Sequence, residues 1–569
     1  MKKQIIECVP NFSEGRNPEI IKQITDAIES VAEITLLDVD PGAATNRTVV
    51  TFVGEPEAVM EAAFRGVKKA AELIDMRGHH GAHPRMGATD VLPLVPVSNI
   101  TLEECAELAR KLGKRIADEL EIPVYAYEAA AFRPERKNLA VCRKGEYEGL
   151  PERLGDTDKG PDFGNRPFDE KVARTGATAC GARDFLIAVN FNLNTTSTRR
   201  ANAIAFDVRE KGRPMREGGS LTGKIIKDEN GNTVMQPGTL KGTKAIGCFI
   251  DEYGIAQVSM NITDCRVTPL HKAFDEVSRA AAARGLRVTG TEIVGLVPKS
   301  TLLEAGRHYL TLQQRSLGIP EEEIIRMAIL SMGLDQLKPF NPEEKVVEYM
   351  IEAAGPRVKR LIDLTCKEFA DTTASEAPAP GGGSISAYMG ALAAALGTMV
   401  ANLSAHKRGW DDRWEEFSNM AVDGQQHLSG LLHAVDEDTA AFNRIMDALG
   451  MPKSSLEEKE ARAAALEAAT LYAAEVPLST ARKALAVFPL LLQVAREGNP
   501  ASASDAGVGA LAACAAVRGA ALNVRINAAG LADKAKAAEL AAEAAELDAE
   551  SRRLEAEVLE IVNANIDRQ

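Results

Sequence analysis

The pattern of the chain changes near residue 335, and no other sequence feature limits the fold as much. Before that point, short apolar runs alternate with runs of helical spacing. IIECV (5–9) reads as a strand and 18–30 as a helix, with Asn17 as its N-cap and Pro18 in the first helical position. ITLLDVD and RTVVTFVG read as strands, 56–74 as a helix, and TDVLPLVPV, IPVYAY and DFLIAVNFNL as further strands. This alternation predicts an α/β architecture with sheets covered by helices. About 330 residues is large for one sheet, so two α/β subdomains are expected, 1–184 and 185–334, with the loop 161–176 as a seam near their join. Beyond residue 335 alanine dominates, as in GALAAALGTMVANL and EARAAALEAATLYAAEV, and no convincing strand follows Arg357. Such amphipathic runs of good helix formers predict an all-α bundle domain over 360–569. The Gly355–Pro356 break falls in a linker region, 335–359.

The net charge of −14 predicts no nucleic-acid partner. No membrane partner is expected either, on the reading that no stretch reaches the roughly 18 uncharged apolar residues of a transmembrane helix. The N-terminus does not read as a signal peptide. Eight scattered cysteines without a CxxC pair predict neither structural zinc nor a disulfide framework, and point to a cytoplasmic setting.

Four stretches carry candidate chemistry. RGHHGAHPRMGATD (77–90) holds three of the chain's eight histidines, and Gly81 and Pro84 argue for a loop running into a strand. It reads as a solvated turn or as a proton-shuttling site, with metal binding a weaker third reading. Asn11 in VPNFSEG and Asn46 in TNRT follow strands, as turn formers or as hydrogen-bond partners of a polar heterocycle. GGSLTGK (218–224) imitates a P-loop but lacks the Ser or Thr that ligates magnesium, and the Asn230–Gly231 pair marks a hairpin after it, so nucleotide binding is rejected. In APAPGGGS, Gly381, Gly382 and Gly383 read as a spacer by composition, yet they open a helix whose N–H groups can meet polar ligand atoms. Finally, Leu431, Val435, Phe442, Ile445 and Leu449 form one helical stripe, and Asp438 falls on it while Asp436 does not. A carboxylate there is either a satisfied hydrogen bonder or an acid/base whose pKa burial has raised.

Taken together, ECVPNFSEG, LLDVDPG, TNRTVVTFVG, HPRMGATDV, GATACGARDFLIAVNFNL and VTGTEIVGLVP, followed by APGGGS and VDEDTAAF, resemble the bifunctional formiminotransferase–cyclodeaminase family. The resemblance implies a transferase half of two α/β subdomains with a cleft between them and an all-helical cyclodeaminase half. The implied reactions are transfer of a formimino group from N-formimino-L-glutamate to tetrahydrofolate, then cyclodeamination to 5,10-methenyltetrahydrofolate and ammonia, in histidine degradation. The alternative is a folate-binding or scaffold protein lacking one of these activities. Polyglutamated tetrahydrofolate is implied as co-substrate with no metal, and a homo-oligomeric ring of eight as the assembly. The family's catalytic histidine falls on His83, its acidic residue on Asp40 and its cyclodeaminase acid/base on Asp438. Folate contacts fall on the loop Gly164, Asn165, Arg166 to Gly176 and on Gly238. Arg47 and Arg85 are candidates for substrate carboxylates, because a guanidinium fork matches them. Cys180 stands as the nucleophile of a rival acyl-transfer reading.

Overall fold

In the computed structural model, Pro10 interrupts the first apolar run and leaves two short strands, β1 (Ile5–Cys8) and β2 (Asn11–Phe12), end to end in one sheet. They lie between β4 (Arg47–Gly54) and β5 (Thr89–Ser98); β3 (Ile34–Gly42) pairs β4, and β7 (Thr178–Ala182) joins β5 to β6 (Val124–Glu128). The pairings of β7 with β5 and β6 are parallel and the others antiparallel. The structure describes residues 3–43, 45–81, 83–156, 158–219, 223–355 and 360–568. These divide into one unit of Met1–Ala305 with Ile329–Arg357 and another of Gly306–Ala328 with Val358–Gln569.

Alternation along the strands gives the seven-stranded sheet two unlike faces. Ile6, Cys8, Phe12, Val50, Phe52, Leu92 and Leu94 are buried against α1 (Pro18–Glu29), α2 (Pro56–Leu73) and α3 (Leu102–Leu120). Each such large side chain contributes about 1.5–3 kcal/mol by leaving water. Asn17 caps α1 as expected, accepting from the Glu19 and Ile20 amides. The opposite face is polar. Asp38 stands opposite Thr51, Asp40 opposite Val49, Asn11 on the other side of Val49, and Glu7 opposite Val53.

The same unit holds a second, wholly antiparallel sheet. Its strands are β8 (Ile187–Leu193), β11 (Thr243–Ile250), β12 (Ile255–Ile262) and β13 (Val288–Val294), in the order β11-β12-β8-β13. Between them in sequence, β9 (Arg213–Pro214) and β10 (Met235–Gln236) form a separate ribbon. The turn expected at Asn230–Gly231 is present: Asp228 accepts from the Asn230 and Asn232 amides, and Gly231 has φ +80°. Of the P-loop imitation, residues 220–222 lie outside the described residues. The changeover between sheets comes after β7, so the loop 161–176, read as a seam, belongs to the first sheet and feeds β7.

The helical unit is built on the helices Gly382–Ala405, Trp414–Gly450, Leu456–Leu485, Ala503–Ala528 and Lys534–Ile566. Phe417, Leu431, Phe488, Leu491, Val517 and Val558 form its core, with small alanines between them. The expectation that no stretch is apolar and uncharged over about 18 residues fails here. Gly382–Ala405 and the stretches Leu456–Glu497 and Pro500–Ala528 are long and apolar enough to cross a membrane, because alanine-rich helices serve a small-residue core equally well. Over half of each qualifying window is buried within the unit.

The junction also differs from the expectation. Residues 335–359 are folded through Ala354: Asn341 caps Pro342–Lys345, the helix Val347–Ala354 follows, and Val346 and Val347 are buried, with Val346 bridged to Val297. Of the Gly-Pro break, residues 356–359 lie outside the described residues. Residues 306–328, assigned from sequence to the α/β half, group with the helical unit. There the Leu317 amide donates to Ser418 Oγ and Asn402 Nδ2 to the Gly318 carbonyl.

Candidate functional site

The first candidate site gathers on the polar face of the seven-stranded sheet, where residues 77–81 and 83–88 meet the chain around β2 and the start of β4. Arg47, at the start of β4, is its hub. Its Nε donates to Asn11 Oδ1 at 3.0 Å, and its Nη1 donates to Asp90 Oδ2 at 2.8 Å and lies 2.9 Å from His83 Nδ1. Burial lowers the Arg47 pKa to about 10, and Asp90 opposes the shift. Arg143 joins Asp90 from the far side, with Nη2 at 2.6 Å.

His83 Nδ1 is also 2.7 Å from the Pro84 carbonyl. Nδ1 can serve only one of these neighbours: as Nδ1–H it donates to the Pro84 carbonyl, Arg47 Nη1 is left to Asp90, and Nε2 is the basic nitrogen. Burial, and next the Arg47 charge, hold the His83 pKa below 6.5. A half-buried neutral imidazole, held on one nitrogen and open on the other, is suited to moving protons at neutral pH. His79 is its opposite: buried, Nε2 donating to the Asn46 carbonyl at 2.8 Å and Nδ1 accepting from Arg85 Nε at 3.3 Å, it has no nitrogen free. His79 is thus a buried structural hydrogen bonder and not part of a solvated turn, and His83 has the geometry of the proton-shuttling reading.

Other sequence candidates fall into place unevenly. Asn46 accepts from the Gly15 amide and donates to the His80 carbonyl, so its amide ties loops together. Arg85 is taken up by a bidentate pair with Glu148, at 2.8 and 2.7 Å, and offers no open fork to a ligand. Asp40 shares the polar face but stands exposed, two strands from Asn11 or about 10 Å; among the described residues no hydrogen bond or ion pair joins it to His83. The residue beside Nδ1 is Arg47. Gly176 is brought to the site: it bridges Gly87, and a Cβ on it would meet the Met86 carbonyl at 2.2 Å. Gly164 lies against Ala117, Asn165 accepts from the Gly155 amide, and Arg166 pairs with Glu121 and Asp169. Gly238 packs on the Val208–Arg209 backbone in the second sheet's subdomain, which accounts for its missing side chain without a ligand. Cys180 is buried, and burial pushes its thiol up to about 12, which disfavours the thiolate a nucleophile needs.

Sequence reasoning missed Asp90, Arg143 and Glu7. The motif HPRMGATD ends on Asp90, but a partner 53 residues away leaves no local signal. Glu7 is 4% exposed beneath the polar face, and burial raises its pKa to about 7 against a weaker pull from Arg183.

The second candidate site lies in the helical unit. Gly381 caps the helix Gly382–Ala405, from whose first turn the Ser384 amide meets Asp438 of the helix Trp414–Gly450. Asp438 Oδ2 accepts from the Ser384 amide at 2.8 Å and lies 3.0 Å from Ser384 Oγ. Ser384 Oγ is also 2.9 Å from the Val435 carbonyl. One hydroxyl proton cannot serve both acceptors at once, so Ser384 Oγ donates either to Asp438 Oδ2 or to the Val435 carbonyl. Burial raises the Asp438 pKa, and both Ser384 contacts oppose the rise. The expected direction is therefore found. A Cβ on Gly383 would lie 2.0 Å from Asp438 Oδ1, so glycine is required there for the carboxyl to sit at all. Asn523, beside Gly382, completes the rim. The apolar stripe is buried at Leu431 and Val435, while Phe442 and Leu449 are 36% and 44% exposed. Asp436 points elsewhere, as expected, with Oδ1 accepting from the Leu361 amide at 2.6 Å. Among the described residues no group of three or more His, Cys, Asp or Glu is placed to hold a metal ion.

Comparison with known proteins covers both sites. Residues 5–183 match the formiminotransferase domain, N-terminal subdomain; 188–352 the formiminotransferase domain; and 365–546 formiminotransferase-cyclodeaminase. The chain is 42% identical to formimidoyltransferase-cyclodeaminase of Gallus gallus, over 93% of this chain and 94% of that one. It is 41% identical to glutamate formimidoyltransferase of Streptococcus pyogenes, over 54% of this chain and 94% of that one. Methenyltetrahydrofolate cyclohydrolase of Methylorubrum extorquens is 41% identical over 31% of this chain and 84% of that one.

Proposed function

The chain belongs to the formimidoyltransferase-cyclodeaminase family, and from that premise we propose that it performs both reactions in one polypeptide. It transfers the formimino group of N-formimino-L-glutamate to tetrahydrofolate, then converts 5-formiminotetrahydrofolate to 5,10-methenyltetrahydrofolate and ammonia. The observation that carries this is similarity over 93% of the chain joined to two separate titratable groups, His83 and Asp438, each held through one atom by a hydrogen bond.

In the first reaction N5 of tetrahydrofolate attacks the formimino carbon. His83 Nε2 accepts the N5 proton and returns it to the nitrogen of the departing glutamate, while Nδ1–H stays on the Pro84 carbonyl. Arg47 positions the ring, and Asp90 positions Arg47. Asp40, on the same sheet face, is read as a substrate-facing acid, and the loop Gly164–Gly176 as the folate contact beside Gly87. In the second reaction N10 attacks the same carbon. Asp438 accepts the N10 proton and donates one to the nitrogen that leaves as ammonia, and proximity within one molecule supplies much of the rate. The amides at Gly381–Gly383 are read as contacts to polar folate atoms. The proposed chemistry uses acid/base groups alone.

We also place the enzyme in the cytoplasm, in histidine degradation, as a homo-oligomer of eight chains acting on polyglutamated folate, with neither nucleic acid nor membrane as partner. Eight free cysteines and a net charge of −14 support the setting. Leu403, Val508, Leu511, Leu522 and Ile526, each 47–73% exposed on two helices, support subunit contacts.

The test mixes purified protein with formiminoglutamate and tetrahydrofolate and follows methenyl-folate absorbance and ammonia together. Transfer without ammonia release points to a chain lacking the second activity. Hydrolysis of supplied methenyltetrahydrofolate without ammonia release from the formimino compound favours the cyclohydrolase relative as the guide to the helical unit. Light scattering gives the oligomer, a polyglutamate series the chain-length preference, and cell fractionation the location.

A further inference from the structure

Resting on the transferase reading above, we infer that Arg143 is the subsite for one carboxylate of the formiminoglutamate substrate. Asp90 is the starting point. Its side chain is 1% exposed and four donors converge on it: Arg47 Nη1 at 2.8 Å and Arg143 Nη2 at 2.6 Å on Oδ2, the Met86 amide at 3.0 Å and Arg143 Nε at 3.3 Å on Oδ1. Two guanidiniums therefore share one carboxylate. One positive charge is left over in a place where both arginine side chains are only 14% exposed. The nearest partners on the other side, Asn11 and neutral His83, carry no charge to offset it. A nearly buried unpaired charge is costly, and the cost disappears when an anion arrives.

The two arginines are not equally free to meet that anion. Arg47 commits Nε and Nη2 to Asn11 and Nη1 to Asp90. Arg143 commits only its Nε–Nη2 edge, and among the described residues its Nη1 has no partner. A guanidinium held side-on by one carboxylate keeps its Nη1–Nη2 edge, and that edge matches a second carboxylate in two parallel hydrogen bonds. Arg143 is fixed in the chain as well. It ends the short helix Leu139–Cys142, its amide bonded to the Leu139 carbonyl. The other arginines of this region carry no such surplus, since Arg85 is matched by Glu148 and Arg166 by Glu121 and Asp169. The open edge lies one shared carboxylate away from Arg47, whose Nη1 touches His83. A substrate carboxylate held there sets the formimino nitrogen beside the imidazole and keeps uncharged formimino donors out.

The test is a ratio within one active protein. Wild-type enzyme is assayed with formiminoglutamate and with its α- and γ-monoamides, and Arg143→Gln with the same three. Wild type should prefer the diacid over one of the two amides by about 10-fold or more in kcat/KM, the worth of a charge-assisted fork. Arg143→Gln should lose that preference, with KM for formiminoglutamate raised about 10-fold or more, KM for tetrahydrofolate unchanged and saturated kcat within about threefold. Arg143→Lys, which keeps the charge without the fork, should fall between them, and it replaces the glutamine variant if that one does not fold. An Arg143 variant that discriminates among the three donors as wild type does overturns the assignment while leaving the transferase reading intact. A wild-type protein that transfers from none of them overturns that reading and this inference with it.

Discussion

Replacing Glu7 by glutamine should stabilise the α/β unit, and increasingly so as pH rises. Glu7 is 4% exposed, and burial raises its carboxyl pKa from 4.5 to about 7. A group raised in this way contributes stability fully present below pH 4.5 and lost as pH rises through about 7, because the folded chain must ionise a carboxyl that water would ionise more readily. A tenfold change in acidity corresponds to about 1.4 kcal/mol. The loss integrates to about 1.4 kcal/mol at pH 5.5 and about 3.4 kcal/mol at pH 8.5, and glutamine, of the same shape and always neutral, escapes it. The unit has roughly 330 residues and an unfolding entropy of about 0.7 kcal/mol/K, so the variant should melt about 2 °C above wild type at pH 5.5 and about 5 °C above it at pH 8.5. Differential scanning calorimetry at the two values reads this directly, with the helical unit's transition as an internal control. A Tm advantage that stays constant or shrinks with rising pH refutes the argument, since then Glu7 is not the buried acid its surroundings make it.

Further expectations concern the two sites and the junction. His83→Asn should cut transferase turnover about 10²-fold while cyclodeamination of supplied 5-formiminotetrahydrofolate survives, and equal loss of both rates would remove His83 from the mechanism. Because burial and Arg47 hold His83 below pH 6.5, wild-type transferase kcat/KM should stay level down to that pH and fall only below it; a limb above 6.5 contradicts a lowered pKa. Asp438→Asn should lose cyclodeaminase turnover about 10²-fold with transfer intact. Asp436→Asn keeps Oδ1 for the Leu361 amide and should leave both rates within about threefold, as turnover assays on the two variants will tell. A fragment ending at residue 340 discards the docked Val346 and Val347, each worth about 1.5–3 kcal/mol. It should melt below a fragment ending at 355, and equal melting would mean that the helix Val347–Ala354 adds nothing.

The two halves were legible because their periods differ. Strand alternation and helical spacing are local, as are the caps at Asn17 and the turn at Asn230–Gly231. Asp438 was legible on the same ground, being the odd polar residue on an apolar stripe. The junction was not, because composition cannot distinguish valines that line a linker from valines that dock. Nor does a sequence tell His79 from His83, a few residues further on. The difference is that the Asn46 carbonyl and Arg85 close both nitrogens of the first, while Pro84 closes one nitrogen of the second. Asp90 and Arg143 meet only through the packing of distant segments, and an alanine-rich helix looks the same whether its neighbours are lipids or other alanines.

The carboxyl of Asp438 belongs to one helix and its hydrogen-bond donors to another, the first turn of Gly382–Ala405. Its proton affinity is therefore a measure of the spacing between two rods. Sliding them apart weakens the two contacts that hold the pKa down and leaves burial unopposed, making a weaker acid; pressing them together makes a stronger one. Helix shifts of about 1–2 Å are the ordinary scale of movement at subunit contacts. The acid and its donors thus keep their geometry only while the two helices keep their spacing.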